Sequence, residues 1–112
     1  MGIASSITGK EVVVSKFLVL YRSPTTAQEQ IAKATPEQAQ AGMEAGQSWM
    51  EKAGAAIVDF GAPVQGDGDV TGFSILQAKA RGTIDELLAD HPHRHIPGAS
   101  IDVLEFLTLP GM

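Results

Sequence analysis

The sequence predicts a single α+β domain with a ferredoxin-like β-α-β-β-α-β order and an antiparallel sheet. Four segments rich in β-branched and aromatic residues are separated by two segments that carry helix-start signals. A length of 112 residues suits one domain, and the chain contains no linker and no internal repeat. We assign residues 1–15 to an N-terminal tail that leads into the first strand, and residues 16–112 to the domain.

The first half of the chain predicts a strand followed by a helix. Val12–Tyr21 is rich in β-branched residues and includes a run of consecutive apolar positions, which is typical of a strand covered on both faces. Residues 25–34 are compatible with a short helix. The run Thr-Pro-Glu-Gln at 35–38 supplies an N-cap, a proline at the first helical position and a capping-box residue. A longer helix therefore begins here and ends at Gly54, a natural C-cap.

The longer helix carries an apolar stripe that we expect to face the core. The stripe consists of small or apolar residues at four-three spacing, namely Ala39, Met43, Gly46, Met50 and Ala53. Trp49 flanks this stripe. We expect its ring to pack in the core with the indole N–H hydrogen-bonded, and a role in lining a pocket is the alternative.

The second half predicts two strands, a short helix and a last strand. Residues 55–60 and 70–77 read as strands, and the Gly- and Asp-rich segment between them as a turn. A second capping box at 83–86 predicts a helix start at Thr83, with Ile84, Leu87 and Leu88 facing inward. Pro92 ends this helix by about residue 91, and residues 99–107 form the last strand.

Apolar side chains occupy both faces of the first and last predicted strands. Leu104 and Phe106 alternate with Ile101 and Val103, so both faces of the sheet need cover. Helices cover one face, and a second copy of the chain would cover the other, which predicts a homodimer. The alternative is that the N-terminal tail or residues 25–34 cover part of that face.

Composition excludes several function classes. The net charge of −5 and the lack of a Lys/Arg cluster argue against a nucleic-acid partner. The chain has no cysteine, which excludes disulfides and thiolate chemistry. No stretch resembles a signal peptide or a membrane span, so we expect a cytoplasmic protein with no membrane partner. Since no phosphate-binding loop or nucleophile elbow is present, we predict no cofactor and neither nucleotide hydrolysis nor serine hydrolase chemistry.

The loop at 90–98, which reads DHPHRHIPG, holds all three histidines. Imidazole titrates near neutrality and ligates metals, and two prolines stiffen the loop. His91, His93 and His95 alternate, and in an extended segment they would point to one side. A divalent metal is conceivable there, but a firm site needs further convergent ligands, so we predict no metal.

Several runs resemble the YCII-related family, including its DGPF-type branch. They are KFLVLY at 16–21, WMEKAGAAIVDFGAP at 49–63, TGFSIL at 71–76, HPH at 91–93 and GASIDV at 98–103. The resemblance covers residues 16–107, although the DGPF tetrapeptide itself is absent. It implies a dimeric α+β barrel and a small-molecule enzyme with an unassigned reaction. Family members carry a histidine on the first helix and an aspartate after the second, whereas this chain has Glu44 and His91 at those positions.

Two functions follow from these observations. In the first, His91 performs acid–base chemistry on a small polar metabolite with Glu44 or Asp59 as partner, and the carboxylate raises its pKa above the ordinary value. In the second, the protein is a non-catalytic ligand-binding or scaffold dimer, and His91 only caps a helix. The residues predicted to contact the ligand are Tyr21, Arg22, Trp49 and His93. For Arg22, the alternative is an ion pair with a surface acid.

Overall fold

The computed structural model describes residues 14–110, where three α-helices accompany a four-stranded antiparallel sheet. In chain order the elements are β1 (Ser15–Arg22), α1 (Ala27–Lys33), α2 (Pro36–Ala53), β2 (Ile57–Asp59), β3 (Val70–Ala78), α3 (Arg81–Leu88) and β4 (Ser100–Glu105). Short 3₁₀ turns occupy Gly54–Ala56 and Pro92–His95. The predicted α+β class is confirmed. Most of the predicted tail, and the Val12 and Val13 start of the first predicted strand, lie outside the described residues.

Strand β1 is central in the sheet, whose order is β2-β3-β1-β4. It pairs antiparallel with β3 on one side and with β4 on the other. Val19 lies opposite Ser74 of β3 and Val103 of β4. Because side chains alternate along a strand, the odd-numbered residues of β1 share one face with these two partners.

The core lies between that face and the helices. Phe17, Val19 and Leu76 from the sheet are at most 1% exposed. They form one buried cluster with Trp49 and Ala53 of α2 and with Ile84 and Leu88 of α3. Burying each large apolar side chain contributes about 1.5–3 kcal/mol. The Trp49 indole Nε1–H donates to the Leu87 carbonyl oxygen at 2.7 Å, which confirms the predicted core tryptophan with a bonded N–H.

Local capping signals fix most helix ends. Thr26 and Thr35 each form a complete capping box, with Glu29 and Gln38 respectively, and Gly54 follows α2 as its C-cap. The predicted start of α3 at Thr83 is wrong. The helix begins at Arg81 after Ala80, which caps it without a side-chain bond, and the Thr83 N–H donates to the Ala80 carbonyl at 3.2 Å. The backbone turn thus satisfies the donor that the capping box would have satisfied.

The predicted inward stripe of α2 is wrong for most of its length. Only Trp49 and Ala53 are buried, whereas Met43 is 62% exposed and Met50 is 39% exposed. The reason is that only the last turns of this 18-residue helix reach the sheet and α3, so its first turns have no surface to cover. No helix within residues 14–110 combines the length and apolar character that a membrane span requires.

The opposite face of the sheet is apolar, and residues 14–110 cover it only in part. Leu18 pairs in register with Ile75 and Leu104, and Leu20 pairs with Phe73, so these five side chains share one face. All five are only half-buried or exposed, and Leu104 is 49% exposed. We call these five residues the outer sheet face.

Candidate functional site

A cavity of about 300 Å³ lies at the end of β1, on the face that carries the helices. It is open to solvent on one side and is bordered by β1, β3, the segment after β2, the first turns of α1 and the histidine loop. The polar side chains of its wall are Tyr21, Gln30, Thr71, Ser74, His91 and His93, and the remaining lining residues are apolar, proline or glycine. This size is at the lower end of the range for small-molecule sites.

Gly61 shapes one wall of the cavity. Its φ is +86°, and a Cβ there would lie 1.6 Å from the Phe73 carbonyl oxygen. Only glycine permits this approach without displacing the backbone. The Gly61 N–H donates to Asp59 Oδ1 at 2.8 Å, and the Phe73 N–H donates to the Ala62 carbonyl, so the segment after β2 is held against β3.

His91 connects α3 to the cavity. Its backbone N–H donates to the Leu88 carbonyl at 3.2 Å, and its Nδ1 accepts from the His93 backbone N–H at 3.0 Å. Its ring stacks on Tyr21, with centroids 4.7 Å apart and planes at 24°, and meets Trp49 edge-on at 4.5 Å. The ring is therefore clamped between two aromatic side chains and oriented by a cap hydrogen bond.

Burial lowers the pKa of His91 to about 4, with the positive charges of His93 and Arg94 acting in the same direction and Asp90 opposing them. The predicted rise above the ordinary value is wrong. Removing the ring from water disfavours the imidazolium form, and this penalty outweighs the attraction of the nearby carboxylate. His91 is thus neutral at pH 7, and the hydrogen bond that Nδ1 accepts places the remaining proton on Nε2.

The structure does not bring the two candidate carboxylates to His91. Glu44 is exposed on α2, where its Oε2 accepts from Gln40 Nε2 at 3.1 Å. Asp59 ends β2 and accepts from the Gly61 N–H. Within residues 14–110, no hydrogen bond or ion pair joins either carboxylate to the imidazole. Glu44 was chosen from the family alignment and Asp59 from its position near the end of a predicted strand, and neither argument fixes a distance to His91.

His93 is the second imidazole of the cavity wall and is 8% exposed. Its Nε2 lies 2.7 Å from the Arg22 carbonyl oxygen, and its ring meets Tyr21 edge-on at 5.3 Å. The predicted extended alternation is wrong, because residues 92–95 form a 3₁₀ turn. Across the described part of the chain, no three His, Asp or Glu side chains converge in a way that could hold a metal ion.

The Arg22 side chain makes ion pairs outside the cavity wall. Its Nε donates to Asp102 Oδ2 at 2.6 Å and its Nη1 donates to Asp69 Oδ1 at 2.7 Å. These carboxylates raise the pKa of Arg22 through hydrogen bonds and charge. The structure therefore favours the acid-paired alternative, and Arg22 contributes to the site through its carbonyl, which holds His93.

Three hydrogen-bonded side chains in the wall were missed by sequence reasoning. The Tyr21 hydroxyl donates to Ser74 Oγ at 3.0 Å, and Ser74 in turn donates to the Phe60 carbonyl at 2.7 Å. Thr71 donates to the Tyr21 carbonyl, and Gln30 Nε2 donates to Thr25 O and Ser23 Oγ. The signal for Thr71 and Ser74 was polar residues within an otherwise apolar strand. Burial raises the pKa of Tyr21, so its hydroxyl stays protonated.

Trp49 contacts His91 from the side of α2 and also borders a second groove with Lys52, Asp90 and His95. It is not part of the main cavity wall.

No protein-family model matches the chain, and no curated protein matches it either. The resemblance to the YCII-related family therefore stays a prediction.

Proposed function

We propose that this protein is a YCII-like small-molecule binding protein whose ligand occupies the cavity, with neutral His91 donating a hydrogen bond to it. The observation that carries this proposal is the His91 ring in the cavity wall, clamped by Tyr21 and Trp49 and kept neutral by burial. A mostly apolar concave wall with a few oriented polar groups is typical of ligand sites.

Catalysis on the bound molecule is the second candidate function. The neutral, oriented ring of His91 favours catalysis by hydrogen-bond donation over general-base catalysis. An imidazole with a pKa of about 4 is a weak base near neutral pH, since efficient general bases titrate near the working pH. The same neutral ring suits polarisation of a carbonyl group by hydrogen bonding. We therefore propose His91 as a donor to the substrate, rather than as the base of a His/carboxylate pair with Glu44 or Asp59.

We also propose that the strand order corresponds to the ferredoxin-like arrangement and that two copies pack through the outer sheet face. Five apolar side chains on three adjacent strands favour a partner of the same shape. The Arg22–Asp102 ion pair lies beside Leu20 on this side of the sheet, so these two charges are already paired where a second copy would approach.

A cavity-filling variant tests the binding proposal. Ala27 opens α1 and lines the cavity, so Ala27→Phe should occupy part of its volume. Fragments screened by amide NMR should shift residues of the cavity wall in the wild-type protein and should lose these shifts in Ala27→Phe. Ala41→Phe, on an exposed part of α2, is the matched control and should bind as the wild type does. Fragment binding that survives Ala27→Phe unchanged would contradict the proposal.

A further inference from the structure

The side-chain hydrogen bonds of the cavity wall leave one donor without a protein acceptor. The hydroxyls of Tyr21, Thr71 and Ser74 all donate to protein oxygens. Gln30 uses its Nε2 for two acceptors. Within residues 14–110, the Nε2–H of His91 is the wall side-chain donor that has no protein partner.

The wall also holds an acceptor that the protein leaves unused. Because the Arg22 carbonyl can only accept, the Nε2 of His93 must carry the hydrogen of that 2.7 Å bond. In the neutral ring, Nδ1 then has no hydrogen and accepts. No donor among the described residues reaches this nitrogen, although the side chain is more than nine-tenths buried. A buried polar atom without a partner is costly, which indicates that a ligand or water completes it.

Both rings line the same cavity and contact the same aromatic side chain, so one ligand can contact both of them. The centroids of His91 and His93 lie 4.7 Å and 5.3 Å from that of Tyr21. Among the residues that the structure describes, no Lys, Arg, Asp or Glu lines the wall. A charged ligand group would therefore find no permanently charged partner in the wall, where only the two imidazoles could supply a positive charge, and this disfavours it against a neutral ligand.

From these contacts we infer that the cavity selects an uncharged carboxamide or lactam, whose carbonyl accepts from His91 Nε2–H and whose N–H donates to His93 Nδ1. This inference rests on the proposed function and names the ligand class of the same site. Recognition of both amide groups separates the ligand from ketones, which lack the donor, and from carboxylates, which lack the donor and carry a charge. A site built around such hydrogen bonds rejects analogues that leave its buried groups unpaired.

The test compares four matched probes by NMR titration at about pH 8, where imidazoles of ordinary pKa are neutral. The probes are benzamide, N,N-dimethylbenzamide, acetophenone and benzoate. We expect benzamide to bind at least about five-fold more tightly than each of the others, because each lacks a hydrogen bond or adds a charge. Equal binding of benzamide, dimethylbenzamide and acetophenone would overturn the amide inference while leaving the cavity as a ligand site. Preferred binding of benzoate would overturn the charge argument.

The failure of all four probes would count against the amide inference, whereas fragments of other chemistry that shift the cavity wall would still support the proposed function. A second measurement needs no variant and no ligand. Long-range ¹⁵N–¹H correlations report which ring nitrogen is protonated, and both His91 and His93 should carry their proton on Nε2. A proton on Nδ1 in either ring would overturn the inference directly.

The variant His93→Phe keeps an aromatic ring beside Tyr21 and removes the acceptor. It should bring the affinity for benzamide down to that for acetophenone, while the affinity for acetophenone stays the same. If His93→Phe retains the preference for benzamide, the assigned role of His93 is wrong. If the variant fails to fold, the tautomer measurement on the wild-type protein decides the question.

Discussion

Lowering the pH should reduce the free energy of unfolding of this protein because the buried His91 ring resists protonation. His91 is the histidine whose pKa shift the structure resolves. The pKa of the ring falls from 6.5 to about 4 on folding. One pKa unit corresponds to about 1.4 kcal/mol, so the full shift corresponds to about 3 kcal/mol. Since the ring is only partly buried, solvent screening reduces this to about 2 kcal/mol.

The direction of the effect follows from proton linkage. Between pH 6.5 and about 4 the unfolded chain binds a proton on His91 while the folded chain does not. The stabilisation is therefore fully present above pH 6.5 and is lost as the pH falls to about 4. The side chain that keeps the local structure without titrating is asparagine, whose Oδ1 takes the place of Nδ1 as acceptor for the His93 N–H.

Urea unfolding of the wild type and of His91→Asn, followed by circular dichroism across this pH range, isolates the effect. The pKa of Glu29 is lowered without any contribution from His91, so this carboxylate cancels in the difference, whereas the minor charge coupling of Asp90 to His91 does not. The wild type should lose about 2 kcal/mol more than the variant between pH 6.5 and 4. Two parallel stability curves would refute the reasoning that burial keeps His91 neutral.

Three further predictions concern packing and assembly. Gly61→Ala should destabilise the fold by more than about 2 kcal/mol because the added Cβ meets a backbone carbonyl, whereas Gly42→Ala in exposed α2 should stabilise it by about 0.5–1 kcal/mol, as chemical denaturation will measure. Trp49→Phe should cost about 1–2 kcal/mol of unfolding free energy through the lost bond to the Leu87 carbonyl. Sedimentation should find a homodimer that Leu20→Glu dissociates and that a control glutamate on outer α2 leaves intact, and a monomeric wild type at micromolar concentration would contradict the dimer.

The parts of the fold that depend on neighbouring residues were predictable from the sequence. The capping box at Thr35 and Gln38 and the C-cap at Gly54 arise within a few residues of the chain, and the structure has both. The start of α3 was not predictable in this way. A backbone hydrogen bond from the Thr83 N–H to the Ala80 carbonyl takes the place of the expected side-chain cap. Local patterns indicate that a helix exists more reliably than where it begins.

The candidate site was predictable only in part, because its chemistry depends on distant contacts. Tyr21, His91 and His93 were identified as candidates, and they do line one cavity, whereas His95 borders the second groove. The low pKa of His91 was not foreseeable, since it comes from burial among side chains far apart in the sequence. The choice of Glu44 as the partner of His91 failed because Glu44 is exposed on α2. The exposure of a helical residue depends on how far the helix extends over the sheet, which local sequence does not determine.

The position of the chain's one tryptophan gives the protein a built-in optical reporter. The indole of Trp49 touches the ring of His91 at a centroid distance of 4.5 Å and is otherwise shielded from water. A change in the charge or orientation of that imidazole alters the electric field at the indole and hence its emission. A ligand that enters the cavity and contacts His91 should therefore change the fluorescence of Trp49, which contacts the same ring from the side of α2. This measurement needs no attached dye and no substitution in the cavity.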